Sequence, residues 1–135
     1  PRVRFLGPLD QAALARAYRA ATCVIVPNIE PANGEFEGFG LVATEAAAAG
    51  GVVLAADCGG LPSAIVDGVT GILVPSGQPQ AWCEKINAVH QWDRDRRRAF
   101  IAGALARTAA DFRWPRVAER MLAVYRGQDD FCAGH

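Results

Sequence analysis

Short apolar runs alternate with stretches of helical periodicity over residues 3–75 of the chain. The apolar runs are rich in β-branched residues and are bounded by Gly or Pro, which is typical of strands. They predict strands at 3–6, 23–26, 52–56 and 72–74, with helices at 10–21, 39–49 and 61–66 between them. Strands that alternate with helices favour right-handed crossovers, and therefore a parallel sheet with helices on both faces.

The run at 23–26 (CVIV) does not alternate apolar and polar residues, so we expect this strand to be buried on both faces of the sheet. Beyond residue 79 the pattern predicts helices at 80–90, 93–110 and 114–125, followed by a polar tail at 127–135. We therefore expect one Rossmann-like α/β domain at 1–126. Four short strands are few for a doubly wound sheet, so we expect further strands of the same sheet upstream.

Composition narrows the classes of function. The 14 basic side chains balance 14 acidic ones, which gives no electrostatic reason to expect nucleic acid as a partner. The four cysteines and two histidines lack zinc-ligand spacing, so we expect reduced thiols rather than a zinc site or a disulfide scaffold. No apolar run reaches the ~20 residues that a membrane span needs. These features suit a cytoplasmic protein.

The candidate chemistry lies in two loops that follow predicted strands, where open α/β sheets bind their ligands. The first loop and the helix after it read EFEGFGLVATE, residues 35–45. Gly38 and Gly40 allow the backbone to approach a ligand closely, and the start of the helix offers free N–H groups to a diphosphate. The second loop contains Gly59 and Gly60, which also expose backbone beside a helix start.

Two carboxylates, Glu37 and Glu45, flank the expected phosphate site. Carboxylates aimed at a phosphate would repel it, so we expect them to accept hydrogen bonds from neutral hydroxyl groups on either side. A sugar on one side and a ribose on the other would supply those hydroxyls. The alternative interpretation is that both are ordinary surface acids at a helix start, where negative charge is favoured in any case.

The segment EGFGLVATE resembles the Glu-x7-Glu motif of glycosyltransferase family 4, and segments on either side of it match the family in the same order. These segments are FLG, CVIVP, EAAAAG, the Gly-Gly pair, DGVTGILVP and Phe112-Arg113-Trp114. The resemblance covers residues 3–125 and departs from the family at Gly51 and Ser63, where Pro and Glu are usual. It implies the donor-binding C-terminal part of a GT-B enzyme, which would use a nucleotide diphosphate sugar, retain the anomeric configuration and need no metal or other cofactor.

The resemblance also implies roles for individual residues. Glu37 would contact the transferred sugar as the catalytic residue, and Glu45 would hold the ribose hydroxyls. The remaining donor-binding positions would be Gly38, Phe39, Gly40, Leu41, Val42, Gly59 and Gly60. The basic residues that grip the diphosphate and the acceptor-binding N-terminal domain would precede residue 1, so these 135 residues alone are expected to be inactive.

Two other functions stay open at the level of sequence. One is a module that binds a nucleotide sugar without transferring it, and the other is a different GT-B enzyme such as a nucleotide-sugar epimerase. A peripheral contact of the full-length enzyme with a membrane is also left open. The base and sugar of the donor, the acceptor and the linkage are not indicated by the residues.

Overall fold

The structure is a computed structural model that describes residues 2–29, 40–112 and 114–126. Its sheet has three parallel strands in the order β1-β2-β3, namely β1 (Val24–Val26), β2 (Val53–Asp57) and β3 (Ile72–Pro75). Val24 pairs with Val53, and Leu54 pairs with Ile72, which sets the register of the two ladders. The predicted parallel α/β architecture is therefore confirmed.

Helices connect and cover these strands. They are α1 (Gln11–Ala20), α2 (Leu41–Ala48), α3 (Leu61–Ala64), α4 (Pro79–His90), α5 (Arg94–Asp111) and α6 (Trp114–Tyr125). Each lies within about two residues of its predicted position. No helix within the described residues is both long and apolar enough to cross a bilayer.

Local sequence signals explain where the helices begin and end. The Asp10 carboxylate accepts a 2.7 Å hydrogen bond from the backbone N–H of Ala13, and so caps α1. Asp93 caps α5 in the same way through the N–H of Arg96, also at 2.7 Å. These bonds satisfy N–H groups that a helix start leaves unpaired. At the other end of α2, Gly50 takes a φ of +86°, the left-handed conformation that commonly terminates a helix.

The core forms on both faces of β2 because successive side chains of a strand point in opposite directions. Val53 and Ala55 face one cluster, which includes the small residues of α2, and Leu54 faces the other, which includes Val89 of α4. All three strand side chains are fully buried. Burying a side chain such as Leu54 stabilises the fold by about 1.5–3 kcal/mol.

Helix α5 is tied to the end of α1 by one side chain. The Arg97 guanidinium donates to the carbonyl oxygens of Thr22 and Ala21, at 2.7 and 2.6 Å. These carbonyls follow the last turn of α1, where helix geometry leaves acceptors without an intrahelical donor. Arg97 thus links two elements that are about 75 residues apart in the chain.

Two predictions about strands are wrong. Residues 3–6 do not form a strand, and Phe5 is 95% exposed, because none of the described strands pairs with this segment. Strand β1 is not buried on both faces, since Ile25 is 47% exposed. β1 is the outer strand of the described sheet, and Ile25 belongs to neither of the two described core clusters. The predicted tail at 127–135 lies outside the described residues.

Candidate functional site

The three parallel strands end at one edge of the sheet, and a shared backbone acceptor holds their following loops together. The carbonyl oxygen of Asn28, just beyond β1, accepts a hydrogen bond from the Cys58 thiol at 3.4 Å and from the Ser76 hydroxyl at 3.0 Å. Cys58 follows β2 and Ser76 follows β3. The loops that follow β1, β2 and β3 are therefore linked by hydrogen bonds at the edge of the sheet where the sequence predicts ligand binding.

Gly40 sets the position at which α2 begins at this edge. Its φ of 71° and ψ of 47° are left-handed, and its carbonyl oxygen accepts from the N–H of Ala43 at 2.9 Å. A Cβ atom on Gly40 would lie 2.5 Å from Cδ2 of Leu61, the fully buried first residue of α3. Both the conformation and the close contact with α3 require glycine at this position.

The amino end of α2 is accessible. Leu41 and Val42, its first two residues, are 63% and 49% exposed. The N–H groups of a first helical turn have no intrahelical acceptor, and the helix dipole adds positive charge there. This end of α2 can therefore bind an anionic group without a basic side chain.

Glu45 lies one turn further along α2. It is exposed on the face that points away from the sheet, while Ala43, Ala46 and Ala47 are buried on the opposite face. It lines two cavities, a smaller one of about 280 Å³ between α1 and α2 and a larger one of about 490 Å³ between α2 and α5. A carboxylate at this position can accept hydrogen bonds from hydroxyl groups of a ligand that also contacts the start of α2.

The electrostatic influence of Glu45 is seen at Tyr18 of α1, which lines the smaller cavity with it. Burial raises the pKa of the Tyr18 phenol above its ordinary value of 10.0, and the negative charge of Glu45 raises it further. Both effects disfavour the phenolate. Tyr18 is consequently a neutral hydroxyl at physiological pH, able to donate or accept a hydrogen bond.

The structure brings part of the predicted site together. Gly40, Leu41, Val42 and Glu45 share the first two turns of α2 and the residue before it. The neighbouring loop contains Gly59, with φ of 58°, and Gly60, which precedes α3. The remaining predicted site residues, Glu37, Gly38 and Phe39, lie outside the described residues.

Sequence analysis did not find two groups of this region. The Asn28 carbonyl has no sequence signal because any residue supplies a backbone oxygen. Thr108 of α5 also lines the larger cavity, and a single Thr in a helical pattern carries no signal either.

As to metals, the described residues hold no group of three or more His, Cys, Asp or Glu side chains placed to bind an ion. The expectation that no metal is needed stays a prediction.

A parallel sheet with helices on its faces, and with a helix start and glycine-bearing loops at its carboxyl edge, defines a Rossmann-like α/β domain. Comparison with known families is more specific. The chain matches the family described as "Glycosyl transferases group 1" over residues 1–106. This chain therefore belongs to the group 1 glycosyltransferases.

Individual relatives agree with the family. The chain is 42% identical over 135 residues to a D-inositol 3-phosphate glycosyltransferase of Mycolicibacterium smegmatis, covering 99% of this chain and 29% of that protein. It is 44% identical over 124 residues to the protein of the same name from Nocardia farcinica, covering 92% of this chain and 26% of that protein. The chain thus spans less than a third of the length of these relatives.

Solved structures support the fold. A sucrose-phosphate synthase of Thermosynechococcus elongatus superimposes with a TM-score of 0.75 at 35% identity, covering 93% of this chain and 30% of that one. The Anabaena protein HepE, solved in complex with UDP and glucose, superimposes with a TM-score of 0.73 at 27% identity, covering 93% of this chain and 32% of that one. Both neighbours confirm the GT-B type of fold for this chain.

Proposed function

We propose that residues 1–126 form the donor-binding domain of a retaining glycosyltransferase of the family 4 kind. The longer protein would transfer a sugar from a nucleotide diphosphate sugar to an acceptor hydroxyl. The observation that carries this proposal is the start of α2, where Gly40 holds an open helix end at the sheet edge and Glu45 follows one turn later. The UDP and glucose in the HepE structure support a nucleotide sugar as the ligand.

In this proposal the diphosphate binds at the N–H groups of Leu41 and Val42. Glu45 accepts hydrogen bonds from ribose hydroxyls, and Glu37 contacts the transferred sugar as the catalytic residue, with backbone at Gly38 and Phe39 beside it. The domain orients the donor and stabilises the charge that develops on the leaving diphosphate. The acceptor would bind to a preceding domain, and the 135 residues alone would not turn over.

The test uses the full-length protein that contains this chain. A panel of UDP-glucose, UDP-N-acetylglucosamine and GDP-mannose is titrated by calorimetry, and the donor that binds is then incubated with acceptor extracts. We expect micromolar to millimolar binding of one donor and a product with the anomeric configuration of that donor, read by proton NMR. An inverted anomer would refute the retaining mechanism.

Single substitutions test which residues bind the donor and which take part in transfer. Glu45→Gln is expected to weaken donor binding about tenfold or more, because a carboxylate that accepts from hydroxyls contributes about 1.5–3 kcal/mol. Glu37→Gln is expected to reduce transfer more than binding. Glu84→Gln, on the exposed face of α4, is the matched control and should change neither.

The same assays separate the other functions. Donor binding without transfer to any acceptor would identify a binding module. Release of an altered nucleotide sugar, detected by chromatography of the nucleotide pool, would identify an epimerase.

A further inference from the structure

The larger cavity beside Glu45, here called the α2–α5 groove, is lined mostly by apolar side chains among the described residues. Its lining residues are Thr44, Glu45, Ala48, Leu105, Thr108, Ala109 and Phe112. Its volume of about 490 Å³ falls within the range of ~300–1,000 Å³ that is usual for small-molecule sites. It is formed where α2, which carries the proposed donor site, packs against α5.

Thr108 is the unusual member of this groove. The residue is only 6% exposed, and its hydroxyl oxygen is closed to solvent and has no hydrogen-bond partner within the described part of the chain. A threonine within a helix commonly donates to the carbonyl of the preceding turn, and Thr108 does not. Thr44, in contrast, donates to the carbonyl oxygen of Leu41 at 2.9 Å. A buried hydroxyl without a partner is unfavourable, so Val would suit the fold better at position 108.

The polar groups of the groove select the chemistry of a ligand. The Glu45 carboxylate can only accept hydrogen bonds, while the Thr108 hydroxyl can donate and accept. Among the described residues that line the groove there is no Lys, Arg or His, so a phosphate would meet the charge of Glu45 without compensation from them. A neutral ring that bears hydroxyl groups fits better, because its C–H face can pack on Leu105 and Ala109 while its hydroxyls bond to Glu45. A rotation of the Thr108 side chain about its Cα–Cβ bond would turn the hydroxyl toward the same ring.

We infer that α5 belongs to the donor site and that Thr108 is a binding residue for the same hydroxyl-bearing ring that Glu45 holds. The inference rests on the function proposed above and deepens it. Two parts of a nucleotide sugar have the required chemistry, the ribose and the transferred sugar. The groove would then hold the ligand between α2 and α5, with its diphosphate reaching the amino end of α2.

The experiment measures donor affinity of the full-length protein by calorimetry for wild type, Thr108→Val, Thr108→Ser and Glu45→Gln. The probes are UDP-glucose, UDP and 2′-deoxy-UDP, or the same set on another base if the panel above selects one. We expect Thr108→Val to weaken binding about three- to tenfold, the usual effect of losing one hydrogen bond. Thr108→Ser keeps the hydroxyl and should restore most of the affinity.

The probes identify which ring is bound. If the ribose occupies the groove, Thr108→Val weakens UDP and UDP-glucose equally and has a smaller effect on 2′-deoxy-UDP. If the transferred sugar occupies it, only UDP-glucose binds more weakly. Either pattern supports the inference.

Thr70 provides a matched control that separates binding from folding. It is also buried, but its hydroxyl accepts a 2.8 Å hydrogen bond from the N–H of Val66. Thr70→Val should therefore lower Tm and leave donor affinity unchanged. Thr108→Val should lower affinity without lowering Tm, because no partner within the described residues loses a bond. A residue with a purely structural role would not give this combination.

Failure of the role of Thr108 and failure of the proposed function give different binding results. If Glu45→Gln weakens binding while Thr108→Val leaves every probe unchanged, the role of Thr108 is refuted and the proposed function stands. If Glu45→Gln has no effect either, the donor does not bind beside α2 and both are refuted. Failure of every nucleotide sugar to bind the wild-type protein would also refute both.

Discussion

Gly40→Ala should destabilise the fold far more than Gly→Ala does at an open left-handed position. Alanine in the left-handed region costs about 1–2 kcal/mol. The new methyl carbon would also lie 2.5 Å from Cδ2 of the buried Leu61, and forcing extra atoms into a packed site costs about 1–3 kcal/mol more. The free energy of unfolding should therefore fall by about 2–5 kcal/mol, the sum of the two effects.

Two other glycines of this chain separate the contributions. Gly68 has a φ of +73° and nothing within 4 Å of an added Cβ, so Gly68→Ala reports the backbone cost alone, about 1–2 kcal/mol. Gly103 lies within α5 and is equally open, so Gly103→Ala should stabilise the fold by about 0.5–1 kcal/mol through helix propensity.

Urea unfolding followed by circular dichroism measures all of these variants. Combining Gly40→Ala with Leu61→Ala removes the atoms that the new methyl group would meet, so the double variant should lose less than the sum of the two single losses, by about 1–3 kcal/mol. A loss for Gly40→Ala no larger than that for Gly68→Ala would refute the close contact between the start of α2 and α3.

Three further outcomes are expected. Arg97→Met should lower the free energy of unfolding by about 1–2 kcal/mol in urea, because two backbone carbonyls lose a charged donor. The control Arg98→Met removes an exposed side chain and should stay within about 0.5 kcal/mol of wild type. Equal losses would contradict the link between α5 and α1. Glu45→Gln should lower the pKa of Tyr18 yet leave it above 10.0, because burial is the larger cause of its shift. Tyrosinate absorbance in a Tyr125→Phe background measures this pKa, and an unchanged value would show that Glu45 does not lie near Tyr18. Burial also raises the pKa of the Cys23 thiol, and this effect exceeds the lowering by Arg97. The thiol therefore ionises at lower pH in the unfolded chain than in the folded one, so the free energy of unfolding should fall as pH rises above 9.0, and it should fall less in Cys23→Ala. Equal pH dependence of the two proteins would contradict this.

Much of the fold follows from local pattern. The described helices were predicted from local pattern because helical contacts lie within four residues, and the structure shows Asp10 and Asp93 as caps that bond to backbone N–H groups three residues later. The parallel sheet followed from the alternation of strands and helices. The glycines before α2 were likewise evident in the sequence, and the likeness of this segment to a glycosyltransferase motif indicated a glycosyltransferase. The comparison confirmed membership of the group 1 glycosyltransferases.

The sequence by itself thus determined the order of elements, the parallel sheet and the family. Tertiary structure decided the rest, because each remaining feature depends on a partner distant in the chain. Residues 3–6 have strand composition but no described strand beside them, and Ile25 is apolar but uncovered. Likewise, Thr108 became a candidate only because α5 packs beside Glu45 and leaves its hydroxyl without a bond among the described residues. Periodicity encodes which face of a helix is apolar, but the neighbour that this face meets is set by packing across the whole domain.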